Sequence, residues 1–327
     1  MKQITLTHIC LILSFITLTA QSNLENNFSV EWIKNFSREN EVKTEEGVFS
    51  QLLNLVAGVT EVKLVKPFNL VKYGDDSYFV LDQGLFTPLL ITKDGFEVIQ
   101  NDEFKVFPSL VGVCKFKDEK ILFTDSKLAK IFIYDTDEEE LDIFHKSQKL
   151  SKPTGIIYDD AQKLIYVTDT DEHKILVLDE DGNLIRKIGE RGEDEGEFNF
   201  PTFLTLDRDH NLYVVDAMNF RVQVFNVHGN YVRSFGEAGD ATGYFNRPKG
   251  ITVDSYGHIF IVDALFHTVQ IFDADGNFLY NFGGLGQLNS RFWLPSGITI
   301  DAENNIYVAD SYNSRIQVFR LLVDEKN

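Results

Sequence analysis

The sequence predicts an all-β fold, a six-bladed β-propeller whose blades are four-stranded antiparallel sheets. A short β-rich run that ends in aspartate returns six times along the 327 residues. The six aspartates are Asp82, Asp125, Asp169, Asp216, Asp263 and Asp310. They lie 43, 44, 47, 47 and 47 residues apart, a period typical of arrays in which each repeat is one supersecondary unit. Each period holds four runs rich in Val, Ile, Leu, Tyr and Phe, so one repeat is predicted to form one blade.

The repeat that starts at Pro201 shows the order of the elements within a blade. Its four runs read TFLTLD, LYVVD, RVQVFN and YVRSFG, and short polar connections separate them. This spacing is typical of strands joined by hairpins. Proline opens the first run, where its missing N–H costs least. Pairs such as His228-Gly229 stand where a tight turn needs a positive φ.

The ring is predicted to close through a strand that precedes the first repeat. The sixth repeat stops after its third run, Arg315 to Arg320. The segment Val30 to Phe36, VEWIKNF, reads like the fourth runs of the other repeats and is predicted to supply the missing outer strand. Pairing the two in one blade would leave no open sheet edge. The propeller is therefore assigned to residues 67–322, and residues 21–66 to the closing strand and an insertion.

The insertion before Pro67 is predicted to contain a short helix. Its apolar residues recur with a helical period; they are Val48, Leu52, Leu55 and Val56. This helix is expected either to pack on the rim of the ring or to plug one end of its channel.

Residues 1–20 resemble a secretory signal. Lys2 is followed by an apolar stretch from Ile9 to Leu18, with a cleavage point predicted after Ala20. The stretch is too short to cross a bilayer, so no membrane span is expected after cleavage. The mature protein is predicted to be exported to the periplasm or the extracellular space. Cleavage would leave Cys114 as its only cysteine, expected to be a buried, inert thiol.

The charge of the chain narrows the classes of partner. The formal net charge is −19, and a polyanion repels phosphate backbones and anionic lipid headgroups. Nucleic-acid binding is therefore not expected. The partner is predicted to be a protein or peptide, and the protein itself a monomer.

The repeat resembles the NHL repeat over roughly Pro67 to Phe319. The resemblance rests on PTGIIYD, PKGITVD and PSGITID at the starts of repeats three, five and six, and on SYNSRIQVF near the end. Repeats one and two have drifted from this pattern. The whole layout is similar to exported bacterial NHL-repeat proteins. The resemblance implies a six-bladed propeller, and it implies function only by analogy of fold.

The residue after each opening proline is predicted to face the channel axis. These positions hold Phe68, Val111, Thr154, Thr202, Lys249 and Ser296. The chain also resembles peptidylglycine α-amidating lyase in fold, an enzyme that places zinc-binding histidines at such positions. No histidine is present here, so no catalytic residue, metal or cofactor is expected in the channel. Lys249 could bind an anion there with help from the hydroxyls of Thr154, Thr202 and Ser296, or it could reach solvent instead.

The repeat aspartates and the loop histidines are interpreted as structural. Each aspartate ends a strand, where its side chain can accept backbone N–H groups. Five residues later four repeats carry a cation as a possible ion-pair partner: Lys130, Lys174, Arg221 and Arg315. His173 and His267 occupy equivalent loops and are expected to be surface residues. A structural calcium ion remains compatible with the aspartates.

The strongest functional signal lies on the loops between the second and third strands. Large apolar residues recur there: Phe86, Met218, Phe220, Leu265, Phe266 and Tyr312. Acidic residues are predicted on the same face: Asp171, Glu172, Glu193, Asp194, Glu195, Glu237 and Asp240. The apolar residues could form an exposed partner surface, or they could fold inward and cap the blades. The prediction is a non-catalytic scaffold that binds a protein or peptide through this face. The alternative is a lyase, lactonase or hydrolase with its site in the channel.

Overall fold

A computed structural model describes residues 28–38, 62–144 and 149–323 of the chain. In these residues, 24 strands form six antiparallel sheets of four strands each. The sheets follow one another around a ring, and this confirms the predicted six-bladed β-propeller. The predicted signal at residues 1–20 and the predicted helix of the insertion lie outside the described residues.

Each blade contains an inner, a second, a third and an outer strand, in that order along the chain for blades one to five. Blade one contains β2 (Pro67–Lys72), β3 (Tyr78–Asp82), β4 (Thr87–Thr92) and β5 (Gly95–Val98). Blade two contains β6 (Leu110–Phe116), β7 (Lys120–Asp125), β8 (Lys130–Asp135) and β9 (Glu140–Ile143). Blade three contains β10 (Pro153–Asp159), β11 (Leu164–Asp169), β12 (Lys174–Leu178) and β13 (Leu184–Ile188).

The remaining blades repeat this order. Blade four contains β14 (Pro201–Leu206), β15 (Leu212–Asp216), β16 (Arg221–Phe225) and β17 (Tyr231–Phe235). Blade five contains β18 (Pro248–Val253), β19 (Ile259–Asp263), β20 (Thr268–Phe272) and β21 (Phe278–Gly283). Blade six contains β22 (Ile298–Ile300), β23 (Asn305–Asp310), β24 (Arg315–Val323) and, as its outer strand, β1 (Phe28–Phe36). Single 3₁₀ turns follow β11 and β23, at Thr170–Glu172 and Ser311–Asn313.

The ring closes in blade six by the predicted pairing. Strand β1 runs antiparallel to β24, with Phe28 opposite Val323 and Phe36 opposite Ile316. The closing strand begins two residues before the predicted Val30. The register shifts once, between Trp32 and Lys34.

The core lies between the blades. Six clusters of buried apolar side chains fill the six junctions between neighbouring blades. Side chains alternate between the two faces of a strand. In β3, Val80 therefore packs toward blade six, while Phe79 and Leu81 pack toward blade two. Because both faces are covered, the second strands read as apolar runs before their aspartate, interrupted by threonine only in β7 and β11.

Glycine lets the inner strands approach one another closely. Gly250 of blade five donates its N–H to the Ser296 carbonyl of blade six at 3.0 Å. A Cβ on Gly250 would lie 2.5 Å from the same oxygen, far inside van der Waals contact. Blades two, three and six also carry glycine at this position: Gly112, Gly155 and Gly297. The central channel is therefore narrow at the level of these glycines.

Candidate functional site

The two faces of the ring carry different loops. The loop face carries the connections from second to third strands and from outer to inner strands. The hairpin face carries the short turns from inner to second strands and from third to outer strands. Each inner strand runs from the loop face to the hairpin face, so its first residues lie near the loop face.

The six repeat aspartates are buried at the loop face and are at most 2% exposed. Each accepts at least one backbone N–H from the segment that leads into its own blade's inner strand. In blade one, for example, the Asp82 carboxylate accepts the N–H groups of Val65 at 2.8 Å and Lys66 at 2.9 Å. It also accepts those of Gly84 and Leu85 in the following loop. Each carboxylate thus ties the start of its inner strand to the end of its second strand.

Two of the four predicted ion pairs form and two do not. Arg221 Nε lies 2.9 Å from the Asp216 carboxylate, and Arg315 Nε lies 2.8 Å from that of Asp310. Lys174 pairs with Glu172 instead, and Lys130 forms no ion pair with Asp125 among the described contacts. The prediction was wrong for the lysines because only the arginine fork bonds the carboxylate and also nearby loop carbonyls.

Two of the predicted axial hydroxyls, those of Thr154 and Ser296, bond to protein groups of their own and neighbouring blades. Thr154 Oγ1 lies 2.7 Å from the hydroxyls of both Thr168 and Thr170. Ser296 Oγ donates to the Phe68 carbonyl at 2.6 Å and lies 2.7 Å from Ser311 Oγ. The Thr202 hydroxyl is buried and has no hydrogen-bond partner among the described residues. Thr154 and Ser296 therefore have their hydroxyls occupied by neighbouring protein groups.

An axial plug of Phe68, Val111 and Phe203 fills the channel near the loop face. The three side chains belong to one apolar cluster, and the ring centroids of Phe68 and Phe203 are 6.0 Å apart. Blade one stands opposite blade four in the ring, so this contact crosses the axis. Sequence reasoning missed Phe203, although the signal was present: the repeat reads PTF where four others have glycine two residues after the position of the opening proline.

Lys249 lies against this plug. Its Nζ is 5.1 Å from the centroid of the Phe68 ring, a cation–π contact. Burial, together with the charges of Arg247 and Lys66, lowers the pKa of Lys249 to about 8. Among the described residues, Lys249 has no ion-pair partner.

The plug leaves a cavity on the side of the hairpin face. This cavity has a volume of about 240 Å³ and is lined by residues from the inner strands of all six blades. Residues of the third to sixth positions of these strands form its wall. Cys114 contributes to that wall, and burial raises the pKa of its thiol.

Exposed apolar side chains concentrate on the loop face. Of the six predicted residues, Phe86, Met218, Leu265 and Tyr312 are 46–54% exposed. Phe220 packs partly against the core between blades four and five, and Phe266 is also half-buried. Four of the six residues thus point outward, as an exposed partner surface requires. The other two fold partly inward, as residues that cap the blades would.

Sequence reasoning missed further exposed apolar residues on the same face, mostly in the outer-to-inner connections. The exposed set, named here the apolar patch, is Val65, Phe86, Val106, Phe200, Met218, Tyr244, Leu265, Leu285, Leu288, Trp293 and Tyr312. Trp293 and Tyr312 contact each other, with ring centroids 5.9 Å apart. Among the described loop residues, Tyr256 is the one exposed large apolar side chain on the opposite face.

The acidic residues predicted around this face are exposed. Asp171 and Glu172 lie in blade three, and Glu193, Asp194 and Glu195 lie in the connection from blade three to blade four. Glu237 and Asp240 follow blade four. The acidic residues thus flank the apolar patch on the side of blades three to five.

One of the two loop histidines is placed differently from the prediction, and the other is partly exposed. His173 is 6% exposed, so the expectation of a surface residue was wrong. Its Nδ1 accepts the Phe200 N–H at 3.2 Å, and His267 Nδ1 accepts the Leu294 N–H at 3.0 Å. Each ring therefore holds the connection that leads into the next blade. In the part of the chain that the structure describes, no three His, Cys, Asp or Glu side chains group so as to hold a metal ion. No helix there is long and apolar enough to cross a membrane.

Comparisons with known proteins agree with this fold. A family model described as a 6-bladed beta-propeller matches residues 145–234, and an NHL-repeat model matches residues 292–319. No curated protein matches significantly.

Several solved structures share the fold at low sequence identity. Virginiamycin B lyase from Staphylococcus aureus is 15% identical, with a TM-score of 0.60 over 90% of this chain and 100% of that chain. A gluconolactonase from Xanthomonas campestris is 16% identical, with a TM-score of 0.59 over 89% and 97%. An auxiliary nutrient binding protein from Bacteroides thetaiotaomicron is 11% identical, with a TM-score of 0.62 over 79% and 69%. At these identities the likeness concerns the fold alone. The protein is a six-bladed β-propeller, and its segment 292–319 matches the NHL repeat.

Proposed function

We propose that this protein is an exported binding scaffold that holds a protein or peptide partner on its loop face. One observation carries the proposal: the exposed large apolar side chains of the described loops lie on this face, with the single exception of Tyr256. Export follows from the signal that the sequence predicts over residues 1–20.

The composition of the apolar patch fits a protein interface. Monomeric proteins rarely expose contiguous apolar patches larger than a few hundred Å², and larger ones mark interaction sites. Trp, Tyr, Phe and Met are enriched at interfaces and supply much of the binding free energy. The rings of Trp293 and Tyr312 contact each other at a tilt of 42°, and Lys66 Nζ lies 5.3 Å from the centroid of the Tyr312 ring. This pair is the natural anchor for a partner.

The surrounding charge favours a partner of complementary sign. Exposed carboxylates flank the patch on one side, at Glu193, Asp194, Glu195, Glu237 and Asp240. Complementary charges steer association and select against wrong partners. The partner is therefore expected to present an apolar centre with basic residues toward blades three to five.

The alternative function is catalysis in the channel. Its support is that virginiamycin B lyase and the gluconolactonase share this fold. The axial plug occupies the loop-face end of the channel, so a substrate site would have to lie in the cavity beyond it. A catalytic site would therefore lie in a different part of the molecule from the partner surface on the loop face.

The test compares two triple variants. Met218→Ser, Leu265→Ser and Tyr312→Ser remove three outward members of the apolar patch. Val98→Ser, Ile185→Ser and Val232→Ser, on outer strands, are the matched control because these side chains are also exposed. A partner captured by the wild-type protein from an envelope extract is identified, purified and titrated against all three proteins.

The patch triple is expected to weaken binding of the purified partner by about a hundredfold or more, since anchors at an interface centre contribute about 2 kcal/mol or more each. The control triple is expected to bind like the wild type. Equal affinity of both triples for the partner would refute the loop face as the binding surface.

A further inference from the structure

We propose that the cavity in the hairpin-face half of the channel binds a small organic anion that carries several hydroxyl groups. This site is separate from the apolar patch, because the axial plug of Phe68, Val111 and Phe203 stands between them. Three features of the cavity wall, together with the size of the cavity, favour such a ligand.

One half of the wall carries free hydroxyl groups. Thr205, Thr252 and Thr299 occupy the same level on the inner strands of three consecutive blades. All three line the cavity. Their hydroxyls form no hydrogen bond with a described residue, and none of the three is among the fully buried polar atoms that lack a partner. This threonine arc therefore presents three donors and acceptors to the cavity.

The other half of the wall is apolar at the same level. Blades one, two and three carry Val71, Cys114 and Ile157 there. A ligand in this cavity meets polar groups on one side and apolar groups on the other. That division suits a short carbon chain with hydroxyl groups along one side.

A cation lies one residue farther toward the hairpin face. Lys115 lines the cavity and is exposed, so solvent reaches the cavity from this side. Burial and the charge of Lys72 lower the pKa of Lys115, and the charge of Glu119 opposes this shift in part. Lys72 is itself paired with Asp301 at 3.0 Å, whereas Lys115 has no ion pair with a described residue.

The carboxylates near the hairpin face form no ion pair with Lys115 among the described residues. Glu119, whose charge raises the pKa of Lys115, accepts the hydroxyl of Thr136 at 3.2 Å. Asp254 accepts the N–H groups of Tyr256 and His258 and the ring nitrogen of His258. Asp301 accepts the N–H of Asn305 and the Lys72 ammonium. In a chain with a net charge of −19, the unpaired ammonium of Lys115 is thus available to an incoming anion.

The size of the cavity sets the size of the ligand. Its volume of about 240 Å³ lies below the ~300–1,000 Å³ of sites for drug-sized ligands. The plug closes one end. The ligand therefore enters from the hairpin face and keeps its carboxylate near Lys115, with its hydroxyls along the threonine arc.

Three probes of equal chain length separate these recognition elements. Gluconate has a carboxylate and hydroxyls, hexanoate has the carboxylate alone, and sorbitol has hydroxyls alone. Calorimetric titration of the full chain is expected to show gluconate binding about tenfold or more tighter than either other probe. Comparable affinity for gluconate and sorbitol would refute the role of Lys115, and comparable affinity for gluconate and hexanoate would refute that of the threonine arc.

Two variants assign the effect to the site. Lys115→Met should remove the preference for gluconate over sorbitol, and Thr252→Val should reduce the preference over hexanoate. Lys93→Met, at an exposed lysine in the β4–β5 turn, is the matched control and should bind like the wild type. Circular dichroism of each variant verifies folding. Unchanged gluconate affinity in Lys115→Met, or no binding of any probe at millimolar concentration, would overturn the proposal.

Discussion

The repeat aspartate has different hydrogen-bond partners in blade six, where it is Asp310, and in blade one, where it is Asp82. In blade six, the buried Asp310 carboxylate accepts hydrogen bonds from Arg315, Asn313 and Gln317. Arg315 Nη2 also donates to the carbonyls of Leu288 and Arg291 in the preceding connection. Blade four repeats this network around Asp216 with Arg221.

In blade one the carboxylate is satisfied without a cation. Asp82 accepts backbone N–H groups from both sides of the blade, at Val65, Lys66, Gly84 and Leu85. The aspartate is thus the constant part of the repeat, since it ties two chain segments in every blade. The arginine is an addition that also fastens the long connection between blades. The stability of the two kinds of blade should therefore depend on different residues.

The largest loss of stability is expected when Arg315, the arginine of the blade-six network, is replaced. Arg315→Met would leave the Asp310 carboxylate buried beside no cation and free two loop carbonyls. Burial already raises the pKa of Asp310. Breaking a buried ion pair from one side costs about 3–5 kcal/mol, measured as the free energy of unfolding in urea. Lys130→Met in blade two is the matched control, and a loss of similar size there would contradict the distinction between the blades.

An intermediate effect is expected in blade one. Asp82→Asn keeps the shape of the side chain but turns one acceptor oxygen into an NH₂ group that faces backbone donors. The free energy of unfolding should fall by about 1–3 kcal/mol, the penalty for unsatisfied buried donors. Asp94→Asn, in an exposed turn of the same blade, should leave stability nearly unchanged. If the two variants are equally stable, the backbone contacts of Asp82 do not support blade one.

The smallest expected effect is a gain in the free energy of unfolding, and it comes from Lys249 in blade five. That blade has Thr268 in place of the arginine and carries the unpaired Lys249 against the axial plug. The pKa of Lys249 is lowered from its ordinary value of 10.5 to about 8, so the unfolded chain binds its proton more tightly than the folded protein does. Stability attributable to this group therefore rises with pH between about 8 and 10.5.

Lys249→Met should accordingly raise the free energy of unfolding by about 1–2 kcal/mol near neutral pH. The gain should shrink as pH rises through this window, because the folded wild-type protein then carries a neutral lysine and the cost of removing its proton falls, until above about 10.5 the lysine is neutral in both states. Urea unfolding of both proteins at several pH values measures the difference. A gain that is independent of pH would show that methionine merely packs better, and the charge of Lys249 would then carry no cost.

The sequence predicts the ring far better than it predicts the channel and the loop face. The aspartate period and the alternation of apolar residues fix the strands, because both arise within one blade and recur in every blade. Closure by the segment from Val30 onward was also predictable, since one outer strand was missing. The ion pairs of Lys130 and Lys174 were predicted from spacing alone, and spacing does not distinguish a lysine from the arginine fork.

The remaining features depend on contacts between distant blades. Phe203 departs from the glycine pattern visibly, but only the ring geometry brings it against Phe68 of the opposite blade. Likewise Thr205, Thr252 and Thr299 read as ordinary strand residues, and their shared level becomes meaningful only once three inner strands stand side by side. The exposed Leu285 and Leu288 lie in a connection with no repeat pattern, so no period indicated their direction.

The strand exchange in blade six also governs how the molecule folds. Strand β1, residues 28–36, finds its partner only in β24, residues 315–323, so this pairing has a far higher contact order than any hairpin in the ring. During synthesis β1 must wait until the strands of all the other blades have emerged. Non-local pairings of this kind are slow to form, and until this one forms the incomplete ring exposes unpaired strand edges that favour aggregation. The pairing of β1 with β24 is therefore the folding step before which chaperones and proteases would act on this protein.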